Sequence, residues 1–261
     1  MTETIRIDRD DRGVATIWMV RTDKHNALSA LMMDELKTAA GDLGSDDSVR
    51  CVILAAEGKS FCAGGDLGWM RDQFDADAKT KETEARRLAN MLWALNFLPK
   101  PLIGRMQGNA FGGGVGMASV CDVAIGVDGL KMGLTETKLG LIPATIGPYV
   151  LARMGEANAR RVFMSARLFD ASEAVTLGLL ADVVPQDELD AAVERQVAPY
   201  LSCAPGAVTE AKVLAQTVCN NVTRETVEMS IKALAKRWSS SESTEGISAF
   251  FGKRQASWVA K

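Results

Sequence analysis

The sequence has a single histidine, His25, and no excess of charge of either sign. One imidazole cannot form a zinc site built on paired histidines, and a Ser-His-Asp triad would depend on His25 alone. The 30 basic and 33 acidic residues give a net charge of −3, which offers no basic surface for nucleic acid or for an anionic membrane. We therefore expect no metal site, no nucleic-acid partner and no membrane partner.

Long apolar runs are also missing. No stretch of about 18 apolar residues could span a bilayer, and the first six residues, MTETIR, do not resemble a signal peptide. The hydrophobic fraction of 47% is nevertheless large enough for a substantial core. We expect a soluble, cytoplasmic protein. Its five cysteines, an odd number without metal-ligand spacing, suit reduced thiols that pack as small apolar residues: Cys51, Cys62, Cys121, Cys203 and Cys219.

What the sequence does contain is two glycine clusters, each following a predicted hydrophobic strand. The strand at 50–55 leads into FCAGGD at 61–66, and the strand at 101–106 leads into the glycine triplet 112–114. Glycine allows the backbone to approach a ligand closely and to direct N–H groups at one oxygen, and a following helix N-terminus adds positive potential. Either cluster alone would indicate a tight turn, but together they predict an oxyanion hole.

The candidate acid is Glu136, in the segment 132–143 between an apolar stretch and a further turn. A carboxylate in such a place can transfer protons. Cys62 is a second candidate for chemistry, as a nucleophile with His25 as its base. The small residues around Cys62 favour a packing role instead, and His25 is expected in a loop beside the ligand.

The order of these segments resembles the crotonase (enoyl-CoA hydratase/isomerase) superfamily over nearly the whole chain. The motif KHNAL at 24–28 precedes them and FFGKR at 250–254 follows, similar to the closing helix of the family. The resemblance implies an α/β fold, a spiral of repeated strand-strand-helix units. Residues 1–195 would form this core with the CoA and catalytic site, and residues 196–261 a helical trimerisation region.

The resemblance also implies a set of site residues and partners. The backbone amides of Gly65 and Gly113 would polarise the carbonyl of an acyl-CoA thioester, and Glu136 would carry the proton at the α-carbon. Coenzyme A would then be part of the substrate, so no separate cofactor is expected, and the assembly would be a homotrimer or homohexamer. The CoA groove would be lined by Lys24, Ala27, Ala63, Gly65, Asp66 and Leu67, with Lys253 meeting a CoA phosphate from a neighbouring subunit.

Two of these assignments have structural alternatives. Asp66 directly precedes a predicted helix, where its carboxylate favours capping over ligand contact. Lys253 could equally be an ordinary surface cation.

One position departs from the hydratases of the superfamily. They usually carry two glutamates, the first of them two residues beyond the glycine triplet, where this chain has Gly116. The missing side chain would leave space for a branched acyl group, or it would serve close helix packing. The attacking water would then be held by Glu136 alone, by Glu82 or Glu84, or by a carboxylate of the substrate.

The missing glutamate leaves the reaction open between two main alternatives. One carboxylate suffices for a 3,2-enoyl-CoA isomerase. The strings at 111–116 and 140–150, however, look like those of bacterial hydratases of branched, carboxylated substrates such as methylglutaconyl-CoA. We expect an enoyl-CoA hydratase acting on such a substrate, with the isomerase or a non-catalytic acyl-CoA binder as alternatives.

Periodicity predicts the remaining elements. A β-hairpin surrounds residues 10–13, and Ser29 caps a helix that buries Leu31, Met32, Leu36, Ala39, Ala40 and Leu43. The charged stretch 69–87 is either a mobile wall of the pocket or an exposed helix face, and an amphipathic helix continues to Leu98. Helices are predicted at 191–201, 207–219, 223–238 and 242–258, interrupted by Pro199, Pro205-Gly206 and the serines 239–241. Their Trp238, Phe250, Phe251 and Trp258 would anchor a subunit interface or pack within the chain.

Overall fold

The computed structural model describes residues 2–219 and 222–259 and contains two β-sheets. The larger sheet is built from β1 (Ile5–Arg9), β2 (Val14–Met19), β3 (Cys51–Ala56), β5 (Leu102–Met106), β7 (Val123–Val127) and β10 (Asp182–Val184). These strands lie in the order β1-β2-β3-β5-β7-β10. The first pair is antiparallel, as predicted for a hairpin, and the other pairs are parallel.

The smaller sheet positions the site. It consists of the short strands β4 (Ser60–Cys62), β6 (Asn109–Phe111), β8 (Lys131–Gly133) and β9 (Leu168–Asp170). The first three run parallel to one another, and β9 pairs antiparallel with β8. The carboxyl ends of β4, β6 and β8 therefore lie along one edge of this sheet.

The chain repeats one unit three times: a strand in the larger sheet, a strand in the smaller sheet, and then helix. The helices that follow each pair are α2 (Leu67–Asp75) with α3 (Ala78–Asn96), then α4 (Gly113–Val120), then α5 (Gly147–Phe163). This arrangement confirms the predicted spiral of strand-strand-helix units. The charged stretch 69–87 lies within α2 and α3, in agreement with the helical alternative.

The first helix, α1 (Ala30–Ser45), shows where side-chain pattern succeeds and where it fails. The Ser29 hydroxyl accepts a hydrogen bond from the Met32 amide at 3.3 Å, so the predicted cap is confirmed. The predicted burial of Leu31 is wrong, because Leu31 is 44% exposed. It lies one turn before Glu35 on the polar face, and Met33 is buried in its place.

The remaining helices follow the core. They are α6 (Ala171–Thr176), α7 (Leu189–Leu201), α8 (Pro205–Cys219), α9 (Arg224–Trp238) and α10 (Ser241–Phe251). Pro199 lies inside α7 and does not interrupt it, whereas Pro205 is the first residue of α8 and follows the break after Leu201. The predicted boundary between the core and the trimerisation region, between residues 195 and 196, falls within α7. Among the described helices, none combines the length and the apolar character needed to cross a bilayer.

The last helix is shorter than its pattern predicted. It ends at Phe251 rather than at Trp258, because Gly252 caps it and Lys253 adopts a left-handed φ of 51°. Trp238 is buried within its own chain at 5% exposure, in agreement with intramolecular packing. Phe250 and Trp258 are 47% and 44% exposed, while Phe251 is half-buried with the Arg71 guanidinium 4.9 Å from its ring.

Candidate active site

The two glycine clusters and the candidate acid meet at the edge of the smaller sheet. Cys62 on β4 pairs with Ala110 on β6, and Phe111 pairs with Gly133 on β8. Each strand then ends. Gly64 and Gly65 follow Cys62 after one residue, the glycine triplet directly follows Phe111, and Glu136 lies three residues beyond Gly133. Parallel pairing thus converts three distant segments into one site.

Two glycines allow the close approach of these segments. Gly112 has a φ of +48°, and a Cβ atom on it would lie 3.1 Å from Glu136 Oε1 and 3.9 Å from the Gly64 Cα. Gly64 has a φ of +93°, and its Cβ would lie 3.3 Å from the carbonyl oxygen of Phe111. Both positions require glycine for conformation as well as space. The residues expected to act from the sequence were their neighbours, Gly65 and Gly113. In both clusters the glycines are consecutive, and this was the available signal for Gly64 and Gly112.

The two predicted oxyanion donors have free backbone amides. The Leu28 amide donates to the Gly64 carbonyl at 2.8 Å, and the Asp66 amide donates to the Leu28 carbonyl at 3.0 Å. These bonds flank Gly65, whose own N–H has no acceptor among the described residues. Gly113 is the first residue of α4, so its N–H has no acceptor within the helix. Both glycines line the same cavity and can present N–H groups to one oxygen there.

Glu136 is a carboxylic acid without a charge partner in the described part of the chain. It is the first residue of a 3-10 helix, Glu136–Leu139, and the Leu141 amide donates to its carbonyl at 3.1 Å. The residue is half-buried as a whole, but its Oε2 atom is occluded and has no hydrogen-bond partner among the described residues. Burial raises the pKa of Glu136 from 4.5 to about 7. A carboxyl group with this pKa can both give and take a proton near neutral pH.

The cavity next to Glu136 has a volume of about 480 Å³. Most of its lining is apolar. It comes from the loop 141–146, from α2 and from the C-terminal helices α9 and α10, while α3 contributes Leu88. Its polar side chains are few: Thr135, Glu136, Lys138, Thr145 and the indole of Trp69. A cavity of this size and character suits the acyl part of a small-molecule ligand.

The space expected at Gly116 is already filled. A Cβ atom on Gly116 would lie 2.5 Å from Cγ2 of Ile146 and 3.6 Å from Cδ2 of Leu92. Ile146 itself is buried, at 2% exposure, and lines the cavity. The expectation that Gly116 leaves room for a branched acyl group is therefore wrong, and the close-packing alternative is confirmed.

Neither Glu82 nor Glu84 supplies a second carboxylate to the cavity in the described part of the chain. Glu82 pairs with Arg86 at 3.0 Å on the outer surface of α3. Glu84 accepts a hydrogen bond from the Trp69 indole N–H at 2.8 Å and also pairs with Arg87. Glu84 thus fixes a side chain of the cavity wall without lining the cavity itself.

The expected CoA-groove residues lie together, but not all of them line the cavity. Ala63, Gly65 and Leu67 do, and Leu67 is 54% exposed. Lys24 and Ala27 belong to the segment alongside, since the Ala63 amide donates to the His25 carbonyl at 3.0 Å.

Asp66 and Lys253 are engaged differently from the other groove residues. Asp66 caps α2, because its carboxylate accepts hydrogen bonds from the Gly68 and Trp69 amides at 2.9 and 3.2 Å. It also pairs with Arg21 at 2.9 Å, which helps to hold its pKa below the usual range against the opposing effect of burial. The predicted capping role is thus confirmed. Lys253 follows α10, outside the cavity lining of the described chain.

Cys62 does not have the properties of a nucleophile. Its side chain is fully buried, and burial raises the pKa of the thiol to about 12, so the thiolate is not formed near neutral pH. Its sulfur accepts a hydrogen bond from the Gly64 amide at 3.4 Å. His25 contacts Ser60 instead, with its Nδ1 3.2 Å from the Ser60 hydroxyl. The packing interpretation of Cys62 agrees with this geometry.

Comparison with known proteins agrees with this fold and site. The family model described as "Enoyl-CoA hydratase/isomerase" matches residues 9–261. The "Probable enoyl-CoA hydratase echA8" of Mycobacterium tuberculosis is 32% identical over 254 residues, covering 97% of this chain and 96% of that protein. A crystal structure of an enoyl-CoA hydratase from Shewanella pealeana superposes with a TM-score of 0.81 at 35% identity, covering 98% of this chain and 96% of that one. The chain belongs to the enoyl-CoA hydratase/isomerase family and is an enzyme of that lyase or isomerase kind.

A more distant relative is of interest for the substrate. The mitochondrial methylglutaconyl-CoA hydratase of Mus musculus is 33% identical over 184 residues, which cover 70% of this chain and 58% of that protein.

Proposed function

We propose that this protein is an enoyl-CoA hydratase that adds water across the 2,3-double bond of a branched or carboxylated enoyl-CoA thioester. The observation that carries the proposal is the position of Glu136 Oε1 beside Gly112. Gly112 directly precedes Gly113, whose amide is free, and it lies opposite Gly64. An acid and two oxyanion donors in one apolar cavity are the groups that such a reaction needs. The names of the relatives support hydration as the reaction.

In the proposed reaction the thioester oxygen accepts hydrogen bonds from the amides of Gly65 and Gly113. Water oxygen bonds to the β-carbon as the π bond breaks and its electrons move toward the α-carbon and the thioester oxygen. The α-carbon takes a proton from the carboxyl group of Glu136, and the proton that water loses returns to the same carboxyl group. Glu136 therefore ends in the state in which it began, and a pKa of about 7 suits both transfers.

The cavity wall supports a branched or carboxylated acyl group. Ile146 and Leu141 provide apolar contacts for a branch. Lys138 is the one basic side chain that lines the cavity within the described ranges, and it forms no salt bridge there. A terminal carboxylate on the acyl group could pair with this ammonium.

The main alternative is the 3,2-enoyl-CoA isomerase, which is favoured by the single carboxylate in the cavity lining. The two reactions differ in the fate of water. Wild-type enzyme is incubated with 3-methylglutaconyl-CoA in oxygen-18 water, and separately with a 3-enoyl-CoA, and the products are analysed by mass spectrometry. We expect the label on the β-hydroxyl group, and faster turnover of branched or carboxylated thioesters than of crotonyl-CoA at equal concentration. Formation of a 2-enoyl-CoA without label would support the isomerase and overturn the hydratase.

We further propose that the CoA moiety lies along Lys24, Ala27 and Ala63 and that a homotrimer or homohexamer completes the groove with Lys253 from a neighbouring subunit. Helix α8 supports assembly, because Val213, Leu214 and Val218 are 53%, 64% and 74% exposed on it. Light scattering tests the assembly, and CoA titration of Lys253→Ala at low and high salt tests the lysine. A monomer in light scattering that still binds CoA tightly would contradict this proposal.

A further inference from the structure

The cavity contains one buried polar side chain that the proposed reaction has not used. Thr145 is only 2% exposed and lines the cavity. Its hydroxyl forms no hydrogen bond to any of the described residues. Among the described residues, six side-chain oxygen atoms are fully occluded and have no hydrogen-bond partner. The Thr145 hydroxyl is not one of these six atoms. A hydroxyl that is neither bonded nor fully occluded, on a residue that lines the cavity, can be satisfied by a ligand or water there.

Two contacts fix the position of Thr145. Its neighbour Ile146 fits against Gly116 of α4, one turn beyond the oxyanion donor Gly113. On the other side, the loop that leads to Thr145 starts at Leu141, whose amide is bonded to the Glu136 carbonyl at 3.1 Å. Thr145 is thus attached both to the oxyanion helix and to the turn that carries the acid, and it lies next to the residue that occupies the place of a second carboxylate.

We propose that the Thr145 hydroxyl holds the attacking water, in place of the carboxylate that position 116 lacks. This inference rests on the proposed hydratase activity. The hydroxyl accepts a hydrogen bond from one hydrogen of the water, while the other hydrogen is directed to Glu136. The water oxygen bonds to the β-carbon and loses its Glu136-directed proton to that carboxyl group. Thr145 orients the water without changing its own protonation state, so no additional acid or base is required.

The other polar side chains of the cavity are less suited to this role. Thr135 and Lys138 lie on the same turn as Glu136, whereas Thr145 directly precedes Ile146, the residue packed against Gly116. The indole of Trp69 already donates its only hydrogen to Glu84. Thr145 alone combines burial, a free hydroxyl and the location beside Ile146.

The experiment separates water addition from proton transfer at the α-carbon. Thr145→Val keeps the shape of the side chain and removes the hydroxyl, and Thr145→Ser keeps the hydroxyl. Hydration of 3-methylglutaconyl-CoA is measured first. The second assay is exchange of the α-hydrogens of butyryl-CoA into D2O, which needs Glu136 and the oxyanion amides but no attacking water. Thr176→Val, at an exposed threonine whose hydroxyl bonds only to the Ser172 carbonyl, controls for the substitution itself.

We expect Thr145→Val to lower kcat for hydration by about 5- to 10-fold, the effect of one neutral hydrogen bond, and to leave α-hydrogen exchange within about twofold. Thr145→Ser should recover most of the hydration rate, and Thr176→Val should behave as wild type. Unchanged hydration in Thr145→Val overturns the inference. An equal loss of hydration and exchange also overturns it, because it would indicate a structural role. A wild type that exchanges α-hydrogens but hydrates no enoyl-CoA overturns the proposed function, and the role of Thr145 with it.

Discussion

The two sides of the cavity follow opposite physical rules. On the side of the glycine clusters, polar groups are left unpaired: the amides of Gly65 and Gly113 and the occluded Oε2 of Glu136. On the side of position 116, Ile146 packs directly against Gly116, with little space between them. Unpaired buried groups destabilise a folded protein, whereas close apolar packing stabilises it. The comparison indicates that the first side presents its polar groups to a ligand, whereas the second side is closely packed except at the Thr145 hydroxyl.

The largest effect is expected from removing the acid. Glu136→Gln is nearly isosteric and should lower turnover by about three orders of magnitude or more, because proton transfer at the α-carbon is lost. Binding of a substrate analogue, measured by calorimetry, should change by no more than a few-fold, since the amides and the groove remain. Wild-type turnover in this variant would remove Glu136 from the mechanism.

The oxyanion side should be nearly as sensitive at Gly113. A Cβ atom at this position would lie 2.5 Å from Cδ1 of Leu28, whose backbone holds Gly64 in place. Gly113→Val should therefore misplace the amides and reduce kcat by about two orders of magnitude. Gly41→Ala is a suitable control, because nothing lies within 4 Å of its Cβ position in α1. Equal activity of the two variants would indicate that the triplet is only a turn.

A second carboxylate can be introduced on the side of position 116. Gly116→Glu alone should lower stability by about 1–3 kcal/mol, because Ile146 already occupies the position of the new side chain. Combining it with Ile146→Gly should relieve the clash and raise crotonyl-CoA hydration about tenfold over the single variant. Steady-state kinetics and urea unfolding of wild type, Gly116→Glu and the double variant test this. If the single variant is as stable as wild type, Ile146 does not block the position.

The last effect, which is seen in stability and not in turnover, concerns the cost of burying Glu136. Its pKa is raised from 4.5 to about 7 on folding, so the folded state binds more protons than the unfolded state between these pH values. Stability is therefore lost as pH rises through this window, by at most about 3 kcal/mol. Glu136→Gln should be more stable than wild type at pH 8 and close to it at pH 4.5, measured by urea unfolding. The same difference at both pH values would contradict a raised pKa.

The sequence predicted the side of the glycine clusters and Glu136 better than the side of position 116. Glycine pairs and an isolated glutamate are visible as residue types, and the hairpin and the Ser29 cap follow from local rules. The strands β4, β6 and β8, which bring these residues together, are each only three residues long and carry no readable periodicity.

The side of position 116 depends on tertiary contacts that no local sequence pattern indicates. The contact of Gly116 with Ile146 joins α4 to the residue before α5, and the sequence alone left both interpretations of the glycine open. The early end of α10 was missed for a similar reason. Its apolar pattern continues beyond Phe251, but the backbone turns left-handed at Lys253.

The use of main-chain amides at Gly65 and Gly113 has a consequence for how this enzyme can change over generations. A substitution can erase the acid outright, because a single base change converts a glutamate codon into a glutamine codon. No substitution among the side-chain-bearing amino acids, except proline, deletes a backbone N–H. Mutation can only displace these donors, so we expect descendants that lose activity to lose it first through Glu136, while keeping a nearly intact oxyanion loop.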